Sequence, residues 1–535
     1  MPFFCRSSYQ RGWVALACLG LLAGGCARRN YFLPDSRVDA TAPLPPTADS
    51  VRVAAGRHYS HHSGVYYLFM GRHYRPVWAA PVTVPLLRLA TAVPGGLRPG
   101  KAGGGYQSIS MTLEGKKDRE YALRALDKDP SKTLPKVLRP TFLLNVVRDA
   151  TSAANPYGAL TVPPLAQAAG VPHTRPRLVY VRPDETGLGP GSERFRGKVA
   201  LLEEKYEELA SRTPDLAGAT NFVGGENVLK KIYYQPAGYL DQPAFLRARL
   251  LDIWLGDWDR HERQWDWAAF PAASGRTRYQ PIPKDRDQVY FRFDDGLVPW
   301  LAARRFIAPQ FHTFRAEYGY LPGLVYQAEF IDQRGLMQLK RADFQRIAAD
   351  LQRRLPDSLI ERAMHRLPPA VYALEGARLG AALQTRRQHL PQVADAYYLL
   401  LAREPNLGGS AQAERYVVQR FADSTTVRVF SSALHPPTAA DTLRFQRTFF
   451  TAETRTLTLD GLDGDDIFEV TTTGPGRPIR LRLYGGAGHD QLLHQGSARR
   501  LRLYPDEASD LTAAKSDHPY LSRRRHSPAD RTPEN

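Results

Sequence analysis

Residues 250–291 read LLDIWLGDWDRHERQWDWAAFPAASGRTRYQPIPKDRDQVYF, and the rest of the chain is arranged around them. An apolar helix stops at Gly256, and a charged loop follows, Asp257-Trp-Asp-Arg-His261. A hairpin comes next, and its second strand runs into Lys284-Asp-Arg-Asp287. One hairpin therefore separates two carboxylate clusters. Metal-dependent phosphoryl transfer asks for that separation, because one carboxylate orients the attacking hydroxyl while others hold the metal that bridges phosphate oxygens. The helix is expected to begin at Asp241-Gln-Pro243, where Asp caps free N–H groups and Pro is tolerated in the first turn.

Upstream, Lys101-Ala-Gly-Gly-Gly-Tyr-Gln107 opens onto Ile109, Met111 and Leu113 in strict alternation, a turn at 115–118 and a second strand from Glu120 to Leu126. Gly103, Gly104 and Gly105 allow backbone N–H groups to approach a phosphate closely, and a glycine run is equally a plain loop. Arg124 and Lys128 fall on one face of the second strand, within reach of the same phosphates. Val65 to Phe69 reads as β-like and Leu134 to Ala154 as a helix, followed by strands near 177–181 and 199–204. His58, His61 and His62 lack a carboxylate or cysteine to complete a metal cluster and are assigned no role. Downstream, apolar residues recur at helical spacing over 336–354, 358–367, 371–390 and 392–403. From Asn406-Leu-Gly-Gly-Ser410 the character changes, and short β-type runs alternate with polar turns up to Tyr504. The fold class is α+β, closed by a small all-β domain over 406–505.

A chain of 535 residues predicts two or three units, and 43% hydrophobic with 10% aromatic residues predicts folded ones. Arg6 and Arg11 precede an apolar run from Trp13 to Leu22, which ends in Leu22-Ala-Gly-Gly-Cys26. Residues 1–25 read as a signal peptide that resembles a bacterial lipobox, implying cleavage before Cys26 and a diacylglycerol on its sulfur. The alternative is a plain secretory signal cut at the same place. Cys5 and Cys18 lie inside that signal, so Cys26 would be the one thiol left and no intrachain disulfide could form. Residues 26–60, rich in Pro, Ala and Thr, read as a flexible tether, and 506–535 as a disordered basic tail. The net charge of +18 is spread along the chain, which argues against nucleic acid and suits anionic headgroups or phosphate-bearing ligands.

Gly256-Asp-Trp-Asp-Arg-His261, the paired Trp265 and Trp267, and Pro283-Lys-Asp-Arg-Asp287 resemble the atypical kinases of the spore-coat CotH type, the HipA type and the secretory pathway. The span from Tyr66 to about Tyr504 is similar to the periplasmic or surface portion of a group of outer-membrane-associated proteins of the Bacteroidetes. Those often carry a phosphoesterase domain before this region and a membrane barrel after it, and neither is evident here. The resemblance implies a two-lobed, protein-kinase-like domain over 61–405, with an N-lobe to about 200 and a C-lobe from about 201. It makes Asp259 the catalytic base, accompanied by Asp257 and His261. It makes Asp285 the metal ligand, with Asp287 as its rival, and puts Gln264 where such kinases place a metal-binding Asn. Arg124 takes the position of the phosphate-binding lysine, Lys128 is the nearby lysine, and Gly103 to Gly105 form the phosphate loop. The implied cofactors are Mg²⁺ or Mn²⁺ with ATP. Gln264 is one methylene longer than Asn, which puts a second metal in doubt, and Arg is no equivalent of Lys at a phosphate. A protein outside the cytoplasm also has no evident supply of ATP.

Two other readings of the same residues stay open. Asp257, Asp259, Asp285 and Asp287 could form a buried salt-bridge network with Arg260, Arg263, Lys284 and Arg286, which fixes loops without catalysis. With water as acceptor, the same acids would hydrolyse phosphoesters. In the β region, Gly461-Leu-Asp-Gly-Asp-Asp-Ile-Phe468 and Gly485-Gly-Ala-Gly-His-Asp-Gln-Leu492 fit, nearly or fully, the glycine–aspartate nonapeptide of calcium β-rolls. Asp463, Asp465, Asp466 and Asp490 are then candidate Ca²⁺ ligands. The two copies lie too far apart for consecutive turns of a nonapeptide repeat, and two Asp-Gly turns in a β-sandwich fit as well. The expected setting is the cell envelope, with the membrane reached through the lipid on Cys26. The expected partner is an outer-membrane barrel protein or an envelope glycan or protein acceptor, either for a phosphotransferase or for a non-catalytic scaffold.

Overall fold

The structure, a computed structural model, describes residues 26–103, 109–209, 213–431 and 442–504. The signal peptide expected over 1–25, Gly104 and Gly105, and the tail expected over 506–535 lie outside the described residues. Within them the α+β class and the two-lobed arrangement are as the sequence predicts.

The first lobe opens with β1 (Ser50–Val53), α1 (Gly64–Met70) and β2 (Val82–Pro85), with β1 and β2 paired antiparallel. Its main sheet holds β3 (Arg98–Gly103), β4 (Ser110–Glu114), β5 (Glu120–Ala125), β6 (Arg177–Tyr180) and β7 (Val199–Glu204), in the order β3-β4-β5-β7-β6 and antiparallel throughout. Met111, Leu113 and Leu123 point inward, as the alternation requires. Between β5 and β6 the chain crosses through α2 (Phe142–Asp149) and α3 (Val162–Ala169).

Three expectations fail here, each for a local reason. Val65 to Phe69 is helical rather than extended: the Ser63 hydroxyl caps the Tyr66 N–H at 3.2 Å and Gly71 stops the helix at φ 82°. The helix expected over 134–154 is confined to α2, because Pro135 and Pro140 break its first part into short 3₁₀ turns. The stretch 26–60, expected as a tether, lies on the lobe. There Val53, Ala54 and Ala55 are buried, Ser36 N donates to Gly197 O at 2.8 Å, and Arg37 bonds Asp35 and the carbonyls of Ala40 and Ala42.

The second lobe forms around α4 (Gln242–Leu255), which follows β8 (Asn221–Gly224) and β9 (Gly238–Leu240). Asp241 accepts the Ala244 N–H at 3.1 Å, and Gly256 ends the helix in the left-handed region at φ 70°, so both termini fall where the sequence puts them. The hairpin is β10 (Trp265–Pro271) and β11 (Thr277–Pro283), in a sheet ordered β8-β10-β11-β9. Its register pairs Trp265 with Pro283. The loop that enters β10 and the loop that leaves β11 therefore emerge side by side, and this brings the two acidic clusters together. After α5 (Leu297–Ala302), the helices α6 (Arg341–Arg354), α7 (Asp357–Met364), α8 (Ala377–Gln388) and α9 (Leu390–Ala402) complete a core that α4 shares with the first lobe. Among the described residues no helix is long and apolar enough to cross a membrane.

The all-β module is a parallel solenoid rather than a sandwich of hairpins. It comprises β12 (Asn406–Ser410), β13 (Arg415–Arg420), the hairpin β14 (Ser424–Phe430) and β15 (Leu443–Phe450), β16 (Thr456–Leu462), β17 (Ile467–Thr472), β18 (Arg480–Tyr484), β19 (Gln491–Gly496) and β20 (Leu501–Tyr504). One sheet stacks β12-β16-β18-β20 in parallel, and the other stacks β13-β17-β19 in parallel with the hairpin at its edge. Each coil crosses from the first sheet to the second through one corner, and Leu457, Leu459, Phe468, Val470, Leu481 and Leu483 fill the space between.

The corners repeat a glycine five residues before an acid: Gly409 and Glu414, Gly461 and Asp466, Gly485 and Asp490. Each acid turns back over its own glycine. Asp466 Oδ1 accepts Glu414 N at 2.7 Å, and Asp490 Oδ1 accepts Asp466 N at 2.9 Å, so each carboxylate caps the backbone of the preceding coil. A Cβ at Gly461 would overlap both the Asp466 carboxylate and Gly485 O. Gly461→Ala is expected to cost roughly 1–3 kcal/mol in urea unfolding, and Gly64→Ala, which meets nothing, to be neutral.

Candidate functional site

A cavity of about 420 Å³ opens between the lobes. From the first lobe it is lined by Arg124, Lys128, Glu203 and residues of α2, and from the second by Asp259, Asp285 and Asp287. Its far end is apolar and aromatic, with Trp258, Phe291, Phe293 and Phe311 in edge and tilted contact.

Arg260 holds the two acidic loops in place. Its Nη1 donates to Lys284 O at 2.7 Å, its Nη2 to Gln264 O at 3.1 Å, and its Nε to Asp252 at 3.1 Å. The guanidinium thus ties the residue before Asp285 to the loop that carries Asp259. Asp285 stands in the left-handed region at φ 56°, uncommon for a residue with a Cβ and often found where a site fixes the backbone. Burial works to raise its pKa, but Arg124, Lys128, Arg260 and Lys284 outweigh burial and hold the carboxyl below the usual range. Among the described residues Asp285 makes no hydrogen bond or ion pair, whereas Asp287 is paired to Lys128. That difference separates the two rivals for a metal: Asp285 has its oxygens open to the cavity.

On the first lobe Arg124 is ion-paired with Glu203 of the neighbouring strand β7. Burial lowers the Lys128 ammonium from its ordinary value, against the pull of Asp285. Glu203 is not singled out by the sequence reading; the available signal is a pair of acids, Glu203 and Glu204, that closes an otherwise apolar strand.

Other candidates fall elsewhere. Asp257 is fully buried behind the cavity, 3.5 Å from Arg286 and 3.8 Å from Arg260, and neither of its oxygens accepts a hydrogen bond. Burial first, then Asp259, push its carboxyl up to about 7. It belongs to the buried salt-bridge network rather than among the groups that face the cavity. His261 caps its own turn, its Nδ1 accepting Arg263 N at 3.1 Å, with Nε2 3.8 Å from Asp259. Gln264 contributes its carbonyl, which accepts Lys284 N at 3.1 Å and Arg260, and its side chain does not line the cavity. Gly103 ends β3, paired with Ser110. Cys26 is exposed and its carbonyl accepts Asn145 Nδ2 at 3.3 Å.

In the solenoid the four calcium candidates are each engaged. Asp463 takes the Tyr233 hydroxyl, Asp465 accepts His489 N at 2.8 Å, and Asp466 and Asp490 form the corner ladder. Among the described residues no three His, Cys, Asp or Glu side chains gather as a metal-holding group. Burial, then the charges of Glu414, Asp490 and Asp460, push the Asp466 carboxyl up to about 10. A carboxyl raised on folding stabilises most below its unfolded pKa, about 4, and loses that contribution as pH rises through the folded value. Urea stability of the module is expected to fall from about pH 4 toward about pH 10. Asp466→Asn is expected to flatten that profile; an unchanged slope would place the titration elsewhere.

No protein-family model and no curated protein matches the chain. Among solved structures it is similar to the Helicobacter pylori proinflammatory kinase CtkA, at 13% sequence identity and a TM-score of 0.32, over 56% of this chain and 95% of that one. So loose a likeness decides nothing about this chain.

Proposed function

We propose that the chain is a metal-dependent phosphotransferase that moves a phosphoryl group from a nucleotide to an acceptor in the cell envelope, tethered there by lipid on Cys26. The observation that carries this is the convergence of two cations from one lobe, Arg124 and Lys128, and two carboxylates from the other, Asp259 and Asp285, on one cavity. In this reading Arg124, steadied by Glu203, and Lys128 bind the donor phosphates. Asp259 takes the proton of the attacking hydroxyl. Asp285 would hold Mg²⁺ or Mn²⁺, a fit for a hard cation that needs one or two carboxylates when phosphate oxygens and water complete its shell. When bound, the metal neutralises charge on the phosphates. Arg260 keeps the two loops in register.

The second reading, a non-catalytic envelope scaffold, is favoured by the Lys128–Asp287 ion pair, which occupies a phosphate-binding cation in the protein alone. Thermal unfolding with and without Mg²⁺ or Mn²⁺ and ATP separates the two. Ligand at a hundred times its dissociation constant is expected to stabilise the protein by about 2.7 kcal/mol, and Asp285→Ala to lose that gain. No shift with any nucleotide sinks the phosphotransferase. A shift accompanied by free phosphate, with none on an acceptor, makes the enzyme a hydrolase.

A further inference from the structure

We propose that α1 and α5 together form a docking surface that seats the protein on an anionic lipid bilayer, at the rim of the cavity. The two helices pack on each other, with Gly296 against the backbone of Gly71 and His73 hydrogen-bonded to Asp295 just beyond their ends. Their apolar residues turn outward. Leu68 is 68% exposed on α1 and Trp300 44% exposed on α5, and Phe306, four residues past α5, is 81% exposed. A soluble surface seldom leaves so many large apolar side chains together unless something covers them.

Charge names the cover. No acid occurs between Ser50 and Leu113, or between Gly296 and Ala316, while Arg72, Arg304 and Arg305 lie beside the apolar residues. The Arg304 guanidinium stacks on the Trp300 ring at 3.7 Å. An apolar face carrying tryptophan and arginine, whose nearest acids, Asp294 and Asp295, are already held by Arg315 and by His73 and Arg292, matches the headgroup region of an anionic leaflet, where the rings enter the acyl boundary and the cations stay with the phosphates. A second copy would bring the same cations, and its nearest acids, Asp294 and Asp295, are already paired within the chain, so self-association through this face is opposed.

The surface is also placed to matter. Met70 at the end of α1 and Val298 on α5 line the cavity. Cys26 contacts α2 near its start, and Asp149 at the far end of that two-turn helix binds Arg75, which bonds the carbonyls of Met70 and Gly71. An anchor at Cys26 and the docking surface would thus be linked through α2 and Arg75. That the acceptor reaches the cavity from the membrane rests on the phosphotransferase reading; the docking itself does not.

The test uses the full chain with its three cysteines changed to Ser and one cysteine restored at Phe306 or at Leu443, each carrying an environment-sensitive dye. Comparing positions cancels any binding by the apolar N-terminal run. With phosphatidylglycerol–phosphatidylcholine vesicles the dye at 306 is expected to brighten severalfold and to be quenched by a lipid-borne quencher, while the dye at 443 stays unchanged. Arg304→Ser with Arg305→Ser is expected to weaken binding roughly thirtyfold. A dye at 306 that ignores the vesicles, or equal responses at both positions, overturns the proposal, the first of these leaving a protein partner as the cover.

Discussion

Asp259→Asn is expected to slow phosphoryl transfer by roughly 10²- to 10⁴-fold while leaving nucleotide-dependent stabilisation in place, and Asp285→Asn is expected to lose both. The two carboxylates line the same cavity but stand in different surroundings. Asp259 lies in the loop before β10, beside His261 and within the field of Asp257. In the proposed phosphotransferase it is the acid that would take the proton as a hydroxyl attacks. Asp285 is held ionised by four neighbouring cations and makes no ion pair among the described residues, so its oxygens are available to a dication. Removing the base costs the chemical step; removing the charge at Asp285 costs binding of metal-bound nucleotide as well. Phosphate transfer to acceptor or water, measured beside thermal unfolding, reads the two effects apart. Wild-type turnover in both variants would end the assignment of this cavity as a phosphotransfer site.

The central helix and its hairpin are legible because each rests on short-range rules. Asp241 and Gly256 mark the ends of α4, and alternation places Arg124 on the face of β5 that meets the cavity. Which of Asp257 and Asp259 faces the cavity is not legible. The two are separated by one residue in a loop with no periodicity, and the partners that mark Asp257 as the buried one are Arg260 of the same loop and Arg286 brought in from beyond β11. Glu203 escapes for a similar reason, since its partner sits on a strand paired across a long crossover. The solenoid is obscured differently. Its corners at Asp466 and Asp490 are 24 residues apart, but Glu414 and Asp466 are 52 apart because β14 and β15 are inserted between them. A search at nine residues misses such a coil. The helix α1 defeats a propensity reading because its aromatic and branched residues, which favour strands in a core, here face outward.

Asp252→Ala is expected to destabilise the chain by about 3–5 kcal/mol. Asp252 lies on α4 with no solvent exposure and receives three guanidinium groups: Arg249 at 2.9 Å, Arg260 at 3.1 Å and Arg286. Arg249 keeps Asp332 as a second partner, at 2.7 Å. Arg260 and Arg286 then retain only Asp257 as an acid partner among the described residues, at 3.8 and 3.5 Å and without a hydrogen bond. The alanine variant therefore leaves two buried cations poorly compensated, which is far more costly than losing the attraction of one exposed pair. The damage is also directed. Arg260 bonds the carbonyls of Lys284 and Gln264, and Arg286 follows Asp285 in sequence, so loosening either is expected to shift the Asp285 carboxylate. Urea unfolding of Asp252→Ala, of Arg286→Met and of the double variant gives the coupling. The double variant is expected to be less destabilised than the sum of the singles, because it removes a charge together with its counter-charge. Simple additivity, or a loss under about 1 kcal/mol, would mean that water reaches these arginines. The network would then be a surface ornament to the cavity rather than the frame that fixes it.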